Sequence, residues 1–276
     1  MTETGITTRP VSPALGAEVE GIDLSEPLTA ERHAEIRALL NSHLVLFFRD
    51  QDLTLEQHKE LGRGFGDLHI HPAAPNVEDH PEVIRIRADR NSRVVAGMKW
   101  HADVTCDARP PMGSILHLHQ VPPVGGDTMF ANMYAAFEAL SLPMQRFLEG
   151  LTAVHESAQV HRDRFGFGGE LRDGANAFPE ARHPVVRTHP ETGRKCLFVN
   201  ENFTTRIEGL AKHESKALLA MLFEHITTPE FHCRFTWTCK AVAFWDNRCT
   251  QHRTVWDYWP ATRHGYRVTI AGDNPV

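Results

Sequence analysis

Ala241-Val242-Ala243-Phe244-Trp245-Asp246-Asn247-Arg248-Cys249-Thr250-Gln251-His252 starts apolar, turns polar and ends on a histidine. Its first five residues read as a buried strand. About 150 residues earlier stands Trp100-His101-Ala102-Asp103-Val104-Thr105. On an extended chain, residues i and i+2 share a face, so His101 and Asp103 can present an imidazole and a carboxylate side by side. Folding that brings His252 to this pair yields the 2-His-1-carboxylate ligand set, which holds Fe(II) on one face and leaves other positions open. Arg263, eleven residues after His252, suits a dicarboxylate co-substrate, because guanidinium meets carboxylate two bonds at a time. Each element also has a plainer reading. In a chain with 18 histidines, His-x-Asp arises by chance, and the pair can be a hydrogen-bonded loop pair. His161-Arg162-Asp163 is a rival, although its Arg- and Gly-rich surroundings carry no strand signal. Arg263 can be a surface ion pair, worth little.

The remainder of the chain reads as many short strands with a few helices. Residues 15–24 alternate. Thr29 to Leu40 is a helix with Ile36, Leu39 and Leu40 on one face, and His43 to Phe48 is a buried strand. Thr54-Leu55-Glu56-Gln57 is a capping box that opens a second helix. Val83 to Arg87 and Ser114-Ile115-Leu116-His117-Leu118-His119 are strands; the His117 and His119 face is solvated or hydrogen-bonded rather than metal-binding. Helices follow near 132–140 and 143–150. Residues 156–182, rich in Gly, Arg, Asp and Glu without a period, form a lid or insert. Cys196 to Val199 is a strand, Glu214 to Ile226 an amphipathic helix, and Phe231–Trp237 with Ala241–Trp245 a hairpin pair. The pattern is mainly β with flanking helices (α+β), a sandwich or barrel in one domain over 1–276.

Bulk properties narrow the partners. A 41% hydrophobic content supplies a sizeable core, and a net charge of −6 with interspersed basic residues gives no footprint for nucleic acid. Cys106, Cys196, Cys233, Cys239 and Cys249 are an odd set without Cys-x-x-Cys, which fits reduced thiols in a cytoplasm better than disulfides or zinc. Cys106 is three residues past Asp103 and reads as apolar filler. Neither a basic, apolar leader nor a stretch of ~20 apolar residues is present, so no signal peptide or membrane helix is expected. A homo-oligomer, dimer or tetramer, is expected.

Across nearly its whole length the chain resembles the taurine/2-oxoglutarate (TauD/TfdA-type) Fe(II)-dependent dioxygenase family. The resemblance is carried by Leu15-Gly16-Ala17-Glu18-Val19-Glu20-Gly21-Ile22-Asp23-Leu24, Phe65-Gly66-Asp67-Leu68-His69-Ile70-His71-Pro72, Trp100 to Thr105, Gly125-Gly126-Asp127-Thr128, His183 to Pro190, Phe198-Val199-Asn200-Glu201, Trp245-Asp246-Asn247-Arg248 and the tail around Arg263 and Arg267. It implies a double-stranded β-helix, or jelly roll, with iron at its open end. It places the Fe(II) ligands on His101, Asp103 and His252, and the far carboxylate of 2-oxoglutarate on Arg263 with Thr128. The anionic group of the substrate falls to Arg267 and His71, and Val104 and Phe203 fall in the apolar pocket wall. Ala74 stands where the taurine enzymes have a tyrosine, Gly97 where they have an asparagine, and His161 at an aromatic position. The implied activity consumes O2 and 2-oxoglutarate to hydroxylate a small anionic substrate, such as a sulfonate that then releases sulfite and an aldehyde. A phenoxyalkanoate, alkyl sulfate or other organic acid is the alternative. A metal-binding jelly roll without oxidation is the competing class, disfavoured by the carboxylate ligand and by Arg263.

Overall fold

Alternation along one strand explains how the layers stack. In the computed structural model, which describes residues 5–71, 74, 76–158 and 179–276, Val242 to Asp246 is buried throughout. Val242 and Phe244 pack on one side of their sheet, among Ile36, Leu40, Leu61 and Phe65. Ala243 and Trp245 pack on the other, among Phe47, Phe130 and Phe235. A strand covered on both faces loses the polar alternation of a surface strand, which is why the sequence there is continuously apolar. Each large side chain so buried contributes roughly 1.5–3 kcal/mol.

Among the described residues the strands are β1 (Thr7–Pro10), β2 (Ala17–Glu20), β3 (Val45–Phe48), β4 (Asn76–Val77), β5 (His80–Ala88), β6 (Gly113–Gln120), β7 (Thr128–Asn132), β8 (Thr152–Glu156), β9 (Glu180–Pro184), β10 (Val186–Thr188), β11 (Lys195–Leu197), β12 (Thr204–Ile207), β13 (His232–Phe235), β14 (Val242–Asp246), β15 (Thr250–Thr254) and β16 (Arg263–Ile270). The largest sheet runs β1-β2-β3-β14-β6-β16-β5-β4, and smaller ones run β13-β7-β15, β12-β8-β9 and β10-β11. The helices are α1 (Ala30–His43), α2 (Leu55–Arg63), α3 (Met133–Glu138), α4 (Leu142–Leu148) and α5 (Lys212–Ile226). The architecture is mainly β with helices, as expected. The α1 helix starts at Thr29, whose side chain accepts from the Arg32 amide. The capping box at Thr54 and Gln57 forms as read.

The expected hairpin of Phe231–Trp237 with Ala241–Trp245 does not form. β13 pairs with β7, whereas β14 lies between β3 and β6. The two segments lie in different sheets because β14 is apolar on both faces and belongs in the middle of a layer. His117 is buried, with Nε2 on the Gln51 carbonyl at 2.8 Å, so its face is hydrogen-bonded rather than solvated. Of the expected lid, Glu156 ends β8 and residues 180–182 begin β9, its antiparallel partner. Residues 159–178, including His161 and Asp163, lie outside the described residues.

The pairing of β16 with β6 shifts register between His264 and Gly265, and the extra residue, His119, lies on β6. A Cβ on Gly265 would meet the His117 carbonyl oxygen at 2.1 Å, so only glycine fits this close approach. β16 itself keeps an unbroken register with β5 from Arg263 to Val268, so Arg263 and Arg267 share a face about 13 Å apart along the strand.

His58, His117 and His155 are buried and neutral. Burial pushes His58 and His155 down to about 3 and His117 to about 4, against an ordinary 6.5. The unfolded chain takes up these protons below pH 6.5 and the folded one does not. Stability is therefore complete above that pH and falls as pH drops toward 4, by up to about 4 kcal/mol per pH unit for the three together. Denaturant melts at pH 7.5, 6.5 and 5.5 should give a falling midpoint, and His58→Gln should flatten the trend. A constant midpoint would contradict the assignment of neutral buried histidines.

Candidate metal centre

The two halves of the motif meet in a single β-bridge. The His252 amide donates to the His101 carbonyl at 2.8 Å, and the His101 amide returns a bond to the His252 carbonyl at 3.1 Å. Residues that exchange both bonds lie directly opposite, with side chains on one face. The imidazole centroids are accordingly 4.2 Å apart. The sequence suggested a strand through His101-Ala102-Asp103. The structure has this one bridge and then a turn, with Val104 at φ 48°. Asp103 still faces the histidines because its own amide is held by Asn247 Oδ1 at 3.2 Å.

Asp103 Oδ1 lies 3.8 Å from His101 Nε2 and 3.9 Å from His252 Nε2. The ligand atoms of these buried residues all lie within 4.8 Å of one another, close enough to hold one metal ion. Their protonation suits that task. Burial lowers both imidazoles below their ordinary value, although the Asp103 charge opposes it, so both rings are neutral near pH 7. His101 Nδ1 sits 2.9 Å from the Lys99 carbonyl. A carbonyl can only accept, so Nδ1 carries the hydrogen and the Nε2 lone pair is free for a metal. His252 Nδ1 is buried without a hydrogen-bond partner among the described residues, a cost that native interiors rarely leave unexplained. For Asp103 burial raises the pKa, but Arg267, the two histidines and the Ser114 hydroxyl outweigh it, and the carboxyl stays ionised.

A hydrogen-bonded chain fixes the carboxylate. Ser114 Oγ donates to Asp103 Oδ2 at 2.7 Å and accepts from Asn247 Nδ2 at 3.1 Å; Asn247 Oδ1 also accepts from Trp245 Nε1 at 3.0 Å. Ser114 and Asn247 received no role from the sequence. The available signals were a lone hydroxyl opening an apolar strand and an asparagine inside the Trp245–Arg248 stretch.

A second group, His189, Asp246 and Cys249, also has metal-like spacing, but its atoms are committed. His189 Nδ1 accepts from the amides of Glu191 and Thr192, and Nε2 donates to Asp246 Oδ2 at 3.1 Å. Asp246 further takes Arg248 Nε at 2.9 Å and Nη2 at 2.7 Å. Burial pushes the Cys249 thiol well up, so no thiolate is on offer.

Arg263 is buried and donates to the Gly126 carbonyl at 3.0 Å and to Thr128 Oγ1 at 3.2 Å, with Trp237 Nε1 also donating to Thr128 Oγ1 at 3.0 Å. Burial lowers its pKa to about 10, so it is charged at neutral pH. Among the described residues no carboxylate lies within ion-pair distance of it, which removes the surface salt-bridge reading. A buried cation without an anion is costly, and the arrangement suits an incoming carboxylate. Arg267 points to the metal group itself: Nη1 lies 2.8 Å from Asp103 Oδ1. Val104, Phe203 and Cys106 form a small apolar cluster, with the Phe203 ring 6.5 Å from that of His101. Burial raises the Cys106 thiol to about 12, as befits filler. His71 Nδ1 accepts from the Ala74 amide at 2.8 Å. Gly97 has φ 79°, and a Cβ there would lie 3.0 Å from His101 Cε1 and 3.6 Å from its Nε2.

Known proteins resemble this chain over nearly its whole length. The description "Taurine catabolism dioxygenase TauD, TfdA family" matches residues 7–269. An alpha-ketoglutarate-dependent sulfonate dioxygenase of Saccharomyces cerevisiae is 34% identical, over 98% of this chain and 68% of that protein. An alpha-ketoglutarate-dependent sulfate ester dioxygenase of Pseudomonas putida is also 34% identical, over 98% and 91%. The crystal structure of a taurine dioxygenase from Burkholderia xenovorans superposes with a TM-score of 0.84 at 40% identity, covering 98% of this chain and 92% of that one. That of AAD-2 in complex with Mn(II) and N-oxalylglycine gives 0.81 at 30%, covering 98% and 99%.

Ser114→Ala should lower affinity for Mn(II) about 10- to 100-fold, since partners that orient metal ligands carry effects of that size. Calorimetric titration of the metal-free variant checks this. Unchanged affinity would remove the Ser114–Asn247 chain from the metal site.

Proposed function

The chain belongs to the taurine catabolism dioxygenase TauD, TfdA family, and on that footing we propose that it oxidises a monoanionic sulfonate at an Fe(II) held by His101, Asp103 and His252. Its class is that of the alpha-ketoglutarate-dependent dioxygenases, which are oxidoreductases; alpha-ketoglutarate is 2-oxoglutarate. The observation that carries the reading is the pairing of a two-histidine, one-carboxylate cluster with a buried arginine that has no carboxylate partner among the described residues. We read the core as a jelly roll in one domain over the chain. Among the described residues no helix is long and apolar enough to cross a membrane.

Bound Fe(II) supplies the activation of O2 that couples 2-oxoglutarate decarboxylation, to succinate and CO2, with hydroxylation of the substrate. The chain's own residues do the rest. His101 and His252 offer neutral Nε2 atoms, and Asp103 offers a carboxylate held in place by Ser114. Arg263 binds the far carboxylate of 2-oxoglutarate, assisted by the Thr128 hydroxyl, which Trp237 orients. Arg267 and His71 take the anionic group of the substrate, and Val104 and Phe203 supply an apolar wall that excludes water. A sulfonate hydroxylated on the carbon bearing sulfur then loses sulfite and leaves an aldehyde.

Gly97 and Ala74 bear on the substrate's other end. A side chain at Gly97 would crowd the His101 ring, its Cβ lying 3.0 Å from Cε1, so no polar group reaches in from there, and Ala74 brings no hydroxyl. A site without these polar groups has nothing to favour an amine, while added volume accepts a larger apolar tail. In a panel of sulfonates, sulfate esters and aryloxy acids, read by succinate release with Fe(II) and ascorbate, a longer or more apolar sulfonate should exceed taurine in kcat/KM. Taurine as the best substrate would contradict the pocket reading. Arg263→Ala should raise the apparent constant for 2-oxoglutarate roughly 30-fold to several thousand-fold with little change for the sulfonate. Equal 2-oxoglutarate dependence in variant and parent would contradict the arginine's role.

A further inference from the structure

Asp103 Oδ1 is wanted by two cations. It is the oxygen that faces both Nε2 atoms, at 3.8 and 3.9 Å, and it also receives Arg267 Nη1 at 2.8 Å. The Arg267 side chain is only 13% exposed, and its Nε is buried without a partner among the described residues. The guanidinium is thus sequestered with Asp103 as its counter-ion. A divalent ion between the imidazoles would neutralise that carboxylate more strongly and repel the guanidinium. Arg267 would then be a buried cation short of an anion, a state proteins avoid by pairing it.

We propose that Arg267 competes with the metal for Asp103, and that metal binding releases it to capture a monoanion, so that metal and substrate anion bind cooperatively through this one side chain. The inference rests on the reading that His101, Asp103 and His252 hold the metal. Charge balance supports the choice of anion. With neutral histidines, a divalent metal, Asp103, Arg263 and Arg267 together carry three positive charges. Dianionic 2-oxoglutarate leaves one, and a singly charged sulfonate or sulfate ester brings the site to neutrality. A dianion would leave a negative charge uncompensated. Arg263 cannot substitute for Arg267 in this, because Gly126 and Thr128 hold it four residues away along the regular strand β16. Coupling of this kind is reciprocal: the factor by which metal tightens the anion is the factor by which the anion tightens the metal.

The test uses the full chain, stripped of metal, with Mn(II) and methanesulfonate as probes and calorimetry as the readout. No turnover is involved. Methanesulfonate should bind the Mn(II)-loaded protein at least about tenfold more tightly than the metal-free protein. Arg267→Gln should bind Mn(II) about tenfold or more tightly than the parent, because no cation has to be displaced, and should lose the coupling to methanesulfonate. Arg267→Lys, which keeps the charge, should stay nearer the parent in Mn(II) affinity than the Gln variant. Equal methanesulfonate affinity with and without Mn(II) in the parent overturns the proposal and needs no variant. Coupling that survives in Arg267→Gln also overturns it, since the anion would then be meeting the metal directly. Mn(II) binding that depends on His101, as judged by His101→Ala, but does not tighten in Arg267→Gln overturns this inference alone. Mn(II) binding that persists in His101→Ala overturns the metal-site reading and the inference with it.

Discussion

Two hydrogen bonds between His101 and His252 join segments about 150 residues apart, and the rest of the site takes its geometry from them. Closing so long a loop has an entropic cost that grows only slowly with its length. The exchange must nevertheless be held by something larger than itself, and the sheets supply that. β15 is fixed to β7 over five residue pairs. Trp245 is buried and its ring lies 4.7 Å from that of His252. The polar stretch Asp246 to Cys249 turns the chain from one sheet to the other, and the ion pair of Asp246 with Arg248 locks the turn. The stretch therefore does two jobs. Asn247 faces the metal ligands, and Asp246 with Arg248 ties the turn to His189 and Glu191.

Electrostatics set the roles of the two arginines on β16. Both are largely withdrawn from water, and neither is satisfied in the way a surface ion pair would be. Among the described residues Arg263 has only neutral acceptors, which leaves room for an anion from outside. Arg267 has an anion, but that anion is a member of the metal group. The same residue type four positions apart thus meets two different demands. Four residues of extended strand hold the two side chains about 13 Å apart, so they do not meet at one spot.

Much of this was legible in the sequence, for reasons that can be stated residue by residue. The capping box at Thr54 and Gln57 is local chemistry and formed as read. The apolar run of β14 announced a strand but not its neighbours, because period and composition do not say which strands a doubly buried strand will sit between, and so the expected hairpin with Phe231–Trp237 was wrong. The metal triplet was legible only as a spacing. Its same-face arrangement came from a single bridge and an asparagine contact, not from the strand that the i, i+2 pattern suggested. Ser114 was invisible as a functional residue because a serine at the start of a strand has many uses, and only its distance to Asp103 distinguishes them. The Arg267 contact with Asp103 was likewise hidden, since it depends on where β16 meets the metal loop.

The central claim is that one divalent ion sits between His101, Asp103 and His252. Anomalous diffraction from crystals grown with Mn(II) tests it most directly. The account predicts one strong peak bonded to Nε2 of His101, Nε2 of His252 and a carboxylate oxygen of Asp103. A peak at His189, Asp246 and Cys249 instead, or none at the histidine pair in protein saturated with Mn(II), would contradict it.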